Sequence, residues 1–177
     1  MSNQSRLKRC REGDKKAFRE FYDLYAKAML NISARIVNSV EEAEDVLQES
    51  FLAAFGQVEK IRSDAEFGGY LKKIVIHRSI DIVRKKKVGF ETLKEKHDVE
   101  EENNEEQLTY DLTLLRQCIA ELPAGFRVVL TLFLFENYSH KEIAATLNIS
   151  EGTSKSQYNR ARKKLAELYK QKQLIHA

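Results

Sequence analysis

Apolar residues in the first half of the chain recur at helical spacing. After Asp14 come Phe18, Phe21, Tyr22, Tyr25, Met29, Ile32 and Ile36, mostly at steps of three and four. The pattern predicts one face of an amphipathic helix of about five or six turns, with Asp14 as its N-cap. Beyond Asn38-Ser39, the positions Ala43, Val46, Leu47, Phe51, Ala54 and Phe55 predict a second helix, ended by Gly56. A third is predicted over about 65–87, burying Phe67, Leu71, Ile74, Val75 and Val83. Long helices joined by short connections make a compact bundle.

The periodicity then stops. His97 to Tyr110, HDVEEENNEEQLTY, is acidic with almost no apolar rhythm. A run of this kind buries too little surface to offset its ordering entropy, which predicts a flexible connector. A solvated helix extension is the alternative, on helix propensity. Leu112, Leu115, Ile119 and Leu122 then mark a further helix, closed by Pro123. Arg127 to Phe135 is strongly apolar and predicts the centre of a second core.

The segment from Tyr138 to Leu168 has helix-turn-helix grammar. Ser139 and Glu142 form a capping-box pair, in which hydroxyl and carboxylate satisfy each other's backbone donors. Ile143, Ala144 and Leu147 supply a short inner face, and Asn148-Ile149 the turn. Ser150 caps the next helix, with Glu151 at its positive end. Tyr158, Ala161, Leu165 and Leu168 form its packed seam, leaving Thr153, Lys155, Ser156, Asn159, Arg160 and Lys163 on the other side. Hydroxyls, an amide and cations on such a helix suit base edges and phosphates, whereas an ordinary charged helical hairpin would carry the same pattern without a ligand.

The expected fold is therefore all-α, with two small helical domains joined by an acidic flexible linker. Residues 5–90 form the bundle, 91–110 the linker and 111–172 the helix-turn-helix domain. Composition agrees: 177 residues include seven glycines and one proline, too little turn punctuation for an all-β fold. An apolar share of 42% is too large for a wholly disordered chain.

The net charge of +3 conceals an uneven distribution. Residues 1–96 carry a basic surplus of five, 97–118 an acidic surplus of six, and 119–177 a basic surplus of four. Two basic bodies thus flank an acidic connector, which predicts polyanion partners. Cys10 and Cys118 stand far apart and imply neither a disulfide framework nor a cysteine-rich metal site. No leader-like apolar segment opens the chain, and the longest apolar run, Val128 to Phe135, is far short of the roughly 20 residues a spanning helix needs. A cytoplasmic protein without membrane insertion is expected.

Two further patterns carry candidate chemistry. Glu41, Asp45 and Glu49 fall at helical spacing on the side away from the apolar seam, where like charges weaken an isolated helix. Either water or a basic protein partner faces this stripe. The bundle's last helix ends in Arg84, Lys85, Lys86 and Lys87, with Arg78 upstream. Cations complement the helix dipole there, but four in succession exceed what capping needs and suit phosphate contact. His77, His97, His140 and His176 show no metal-ligand spacing, and phosphate-binding and nucleophile motifs are missing. The expectation is a protein without enzymatic activity, metal or cofactor.

Two blocks of sequence resemble a known family, the small two-domain sigma factors of bacterial RNA polymerase, of the extracytoplasmic-function group. AEDVLQESFLAAF, Ala43 to Phe55, is similar to the family's core-polymerase-binding helix, and FGGYLKKIVIHRSIDIVRKKK, Phe67 to Lys87, to its helix for reading and melting the minus-ten element. Glu121 to Leu165 resembles its minus-thirty-five-binding domain. The resemblance implies a factor that directs core RNA polymerase to promoter DNA for transcription initiation. It implies polymerase binding by Asp45, Gln48, Glu49 and Phe51. It implies minus-ten contacts by His77, Arg78, Asp81, Arg84 and Lys85, with the preceding loop, Gln57 to Glu66, capturing a flipped base. Thr153, Lys155, Ser156, Asn159 and Arg160 would face the minus-thirty-five duplex. An anti-sigma factor is the family's usual regulator.

This chain departs from the family at four positions. Tyr70 stands where tryptophan is frequent, His77 where asparagine is common, Ser154 for a small apolar residue and Gln157 for a frequent arginine. A stand-alone helix-turn-helix DNA-binding regulator is the alternative, as is a helical adaptor. The former needs neither the acidic stripe nor a second basic body, and the latter has no use for the exposed face from Thr153 to Lys163.

Overall fold

A computed structural model describes residues 5–89 and 106–176, and among these every regular element is helical. The chain divides into two compact units, residues 1–90 and 91–177.

The first unit contains helices α1 (Arg6–Arg11), α2 (Lys15–Val37), α3 (Val40–Phe55) and α4 (Asp64–Gly89), with a 3-10 turn at Val58–Lys60 between the last two. Local chemistry sets the boundaries. Asp14 accepts from the Lys16 amide and starts α2, and Ser39 accepts from the Glu42 amide and starts α3. Asn38 ends α2 in the left-handed region at φ 59°, a conformation that asparagine tolerates better than most residues. Asn148 does the same for α7 (His140–Leu147) at φ 54°, so asparagine supplies turns in a glycine-poor chain.

Helices α2, α3 and α4 enclose a core centred on aromatic rings. Phe21 stacks on Phe67 at 4.3 Å, and Phe18 meets Phe55 edge-on at 4.7 Å. Phe21, Phe67, Leu71, Val75 and Ile76 are fully buried, each removing enough apolar surface to stabilise by about 2 kcal/mol. The seam of α4 differs from the expected one: Ile76 and Ile80 are buried, whereas Ile74 and Val83 are only half-buried. This helix carries branched apolar residues on several sides, so periodicity alone does not choose the inner face. Two serines also lie in this core. Ser33 on α2 and Ser79 on α4 are fully buried with their hydroxyls 2.9 Å apart, and Ser79 also donates to the Val75 carbonyl at 2.7 Å.

Helix α1 has no counterpart in the sequence reading. Its six residues bury Leu7 and Cys10 against the bundle, and burial pushes the Cys10 thiol up to about 11. Ser5 and the amides of Arg6 and Leu7 all donate to the Asp64 carboxylate at 2.8–3.0 Å. Burial acts to raise the pKa of Asp64, but these donors outweigh it and hold the carboxyl below its usual range.

The second unit contains α5 (Glu106–Ala120), α6 (Ala124–Leu134), α7 and α8 (Glu151–His176). The residues expected to form a linker are only partly described. Residues 106–110 belong to α5, as the helix-extension alternative has it, while 91–105, His97 included, lie outside the described residues. Glutamate and glutamine are good helix formers, and an acid at a helix start complements its dipole. Helix α6 begins at Ala124, directly after Pro123 and earlier than its apolar run suggests. Ile119, Leu122, Leu130 and Ala161 form a cluster packed against Leu115, Phe126, Tyr158, Leu165 and Leu168.

Candidate nucleic-acid and protein interfaces

Three outward faces collect the candidate residues. On α3, Glu41, Asp45, Gln48 and Glu49 are exposed. Phe51 is not: it is 4% exposed, with its ring 4.9 Å from Tyr22 and 5.6 Å from Phe55. It shapes the face from beneath. The outward apolar side chain is the next residue, Leu52, at 73% exposure, which the sequence reading did not select. Leu52 lies three and four residues beyond Glu49 and Gln48, so this face offers acids, an amide and one isolated apolar contact.

Among the described residues, ion pairs run from α3 to α4. Arg78 donates to the Glu49 carboxylate, and Lys86 Nζ lies 2.6 Å from Glu42 Oε2. Exposed pairs of this type contribute up to about 1 kcal/mol each, so a stronger partner displaces them readily. Arg78 and Glu49 were assigned to different surfaces by the sequence reading. The structure brings them together.

On α4, His77, Asp81, Arg84 and Lys85 are exposed and Arg78 is half-exposed. Asp81 and Arg84 pair at 3.5 Å along the helix. Tyr70 and Lys73 are also exposed and fall on the same helical stripe as His77, at offsets of seven and four. Lys73 was missed, although its i, i+4 relation to His77 is visible in the sequence. An exposed ring beside cations suits base stacking and phosphate contact together.

The loop from Gln57 to Ser63 leads into this helix. Val58 and Ile61 are buried, while Glu59, Lys60, Arg62 and Ser63 point outward. The Arg62 amide donates to Glu66 at 2.7 Å and the Glu66 amide to Ser63 at 3.2 Å, which fixes the entry into α4.

In the second unit, the Ser139–Glu142 capping box is present in full and holds the Glu142 carboxyl below its usual range, first through the Ser139 side chain. Ser150 accepts from the Thr153 amide at 3.0 Å and meets its hydroxyl at 2.8 Å. Thr153 is consequently half-buried and engaged in the cap, whereas Lys155, Ser156, Asn159, Arg160 and Lys163 are exposed. Lys155 pairs with Glu151 at 2.7 Å, which lowers the Glu151 pKa. Ser154 is fully buried and faces His140 Nδ1 at 3.0 Å, while the His140 ring stacks on Phe133 at 4.6 Å. This contact ties α7 to α8.

No metal-binding cluster occurs among the described residues. No described helix is long and apolar enough to cross a membrane.

Comparison with known proteins gives a consistent result. Residues 21–88 match Sigma-70 region 2, and residues 112–165 match Sigma-70, region 4. The chain is 29% identical to the ECF RNA polymerase sigma factor SigW of Bacillus subtilis, covering 93% of this chain and 95% of that protein. It is 30% identical to SigE of Mycolicibacterium smegmatis, covering 88% of this chain and 63% of SigE. Among solved structures, the sigma factor RpoE of Bartonella quintana, crystallised with the anti-sigma factor NepR, shares its fold with a TM-score of 0.59 at 21% identity, covering 88% of this chain and 98% of RpoE.

Proposed function

The chain belongs to the sigma-70 family, in its extracytoplasmic-function group, and from that premise we propose how its surfaces divide the work of a sigma factor. It directs core RNA polymerase to promoter DNA for transcription initiation. The ordered match to two family regions carries this reading.

Helix α3 is the polymerase-binding element. Asp45, Gln48 and Glu49 meet a basic helical surface, with Leu52 filling the apolar contact and Phe51 supporting from below. Residues 5–90 read and open the minus-ten element: Tyr70, Lys73, His77, Arg84 and Lys85 face the DNA, Arg78 joins them once polymerase takes up Glu49, and Asp81 orients Arg84. The loop before α4, which the structure confines to Gln57–Ser63 because Asp64–Glu66 are already helical, receives an unstacked base, whose extrusion costs a few kcal/mol that stacking and hydrogen bonds offset. Residues 111–172 hold the minus-thirty-five duplex, with the first turns of α8 in the major groove. There Ser156 and Asn159 reach base edges, Lys155 and Arg160 the phosphates, and Thr153 holds the helix start through Ser150. The chain performs no bond chemistry and acts in the cytoplasm, and an anti-sigma protein of the kind bound to the Bartonella quintana RpoE is its candidate regulator.

Run-off transcription with purified core polymerase on a library of two-element promoters tests the whole reading. The factor stimulates initiation from a subset of them, and absence of stimulation across the library refutes it. Asp45→Lys combined with Glu49→Lys tests the docking face. Polymerase affinity drops by at least tenfold while helix content is unchanged, and wild-type affinity would leave this stripe as solvated surface.

A further inference from the structure

The loop proposed to receive the unstacked base is held by a helix that lies about fifty residues away in sequence. Arg11, in the last turn of α1, donates from Nε to the Val58 carbonyl at 3.1 Å and from Nη2 to the Ile61 carbonyl. Its guanidinium also lies 3.8 Å from Glu59. One planar group thus spans two loop carbonyls three residues apart. The opposite end of the same helix grips the loop's exit, where Ser5, Arg6 and Leu7 converge on Asp64. A six-residue helix therefore fastens both the body of the loop and its junction with α4.

The anchoring of α1 itself does not require Arg11. Leu7 and Cys10 are 1% and 3% exposed and supply its apolar contact, and Arg9 pairs with Asp14 and Glu20 at 2.8–2.9 Å. Arg11 is a third exposed and spends its donors on loop carbonyls. Those carbonyls flank Glu59 and Lys60 and precede Arg62, whose side chains are exposed, so fixing them fixes where the loop presents its polar groups. Lysine cannot reproduce the arrangement, because an ammonium lacks the planar fork that reaches two acceptors at a set separation.

We propose that Arg11 is a positioning residue for promoter opening: it sets the loop backbone in the shape that accepts the unstacked base and so governs which base is accepted. The proposal rests on the loop reading given above. A preorganised loop loses little conformational freedom when it binds, so Arg11 acts on affinity and on base selectivity together.

The test uses reconstituted holoenzyme and a promoter selected by the wild-type factor from a randomised pool. Opening is followed by 2-aminopurine fluorescence in the minus-ten element, and base selectivity by four variants differing at the captured position. Arg11→Ala reduces opening by about tenfold, as expected for losing charge-assisted hydrogen bonds, and flattens the preference among the four bases. Binding to minus-thirty-five duplex and the polymerase affinity stay at wild-type values. Arg11→Lys keeps the charge and restores less than half of the selectivity. Wild-type base preference in Arg11→Ala, or full rescue by lysine, overturns the proposal. Should the alanine variant fail to fold, Arg11→Lys alone decides by the same ratio. Lys60→Ala with Arg62→Ala examines the loop separately. If opening is unaffected, the loop does not contact the strand and both readings fall. If that pair weakens opening while Arg11→Ala does not, the loop reading stands and the role of Arg11 is refuted.

Discussion

Arg127 is the residue whose position contradicts its chemistry most directly. It is 7% exposed inside the second core, and burial lowers its pKa to about 10. Its Nη1 donates to the carbonyl of Leu122 at 2.8 Å, in the connection after α5, and more weakly to that of Ala120 at 3.4 Å, the last residue of α5. Arg127→Met keeps much of the volume but leaves those carbonyls without this donor. Urea denaturation followed by far-UV circular dichroism should show a loss of about 2 kcal/mol. Nothing in the sequence identifies such a residue, because an arginine before an apolar run is ordinarily the polar edge of a helix. Ser154 is a similar case. Its register with Tyr158, Ala161 and Leu165 puts it on the packed seam, but its partner His140, fourteen residues earlier, is not visible in the local pattern. Caps were legible because donor and acceptor lie within three residues of each other, as with Asp14 and the Lys16 amide or Ser139 and Glu142.

At the scale of elements, the same distinction separates α2 from α1. Helix α2 announces itself through about five turns of periodic apolar residues, Phe18 to Ile36. Helix α1 has two buried side chains and depends on Asp64, so its stability is a tertiary property. That dependence sets a pH window. The folded-state pKa of Asp64 is depressed, so its contribution is complete above the ordinary carboxylate value near 4 and is lost as the pH falls through the lower folded value. The pKa of Cys10 is raised to about 11, so its contribution is intact below roughly 8.5 and is lost as the pH rises through about 11. Helix α1 should therefore be docked most firmly at neutral pH. Asp64→Asn should speed alkylation of Cys10 at pH 8, because the thiol is reachable only when the helix lifts, and an unchanged rate would remove Asp64 from its role. Helix α3 was legible for its charge but not for its exposed apolar residue. An i, i+4 pattern identifies acids readily, whereas choosing between Phe51 and Leu52 needs the position of the aromatic cluster beneath.

For the whole molecule, a net charge of +3 is a cancellation between basic bodies and the acidic surplus of residues 97–118. We propose that this surplus competes with DNA phosphates for the basic surfaces. Replacing Glu100, Glu101, Glu102 and Glu105 with glutamine should raise holoenzyme affinity for promoter DNA at low salt, with the gain fading as screening increases. A filter-binding series over ionic strength reads this directly, and unchanged affinity at every salt concentration excludes the competition. The two-body organisation was legible because charge and periodicity both break at the same stretch, whereas the aim of the α4 surface was not. That aim follows from the hydroxyl pair buried between α2 and α4. Turning α4 about its axis would part Ser33 from Ser79, which keeps its own bond to Val75, and take from the buried Ser33 hydroxyl its partner on α4, so the pair acts as a rotational stop. Bearing and vocabulary are thereby held by different residues of one helix. On the reading proposed above, substitutions along the outer stripe retune promoter preference over evolutionary time while the inner serines hold the helix that presents it in one orientation.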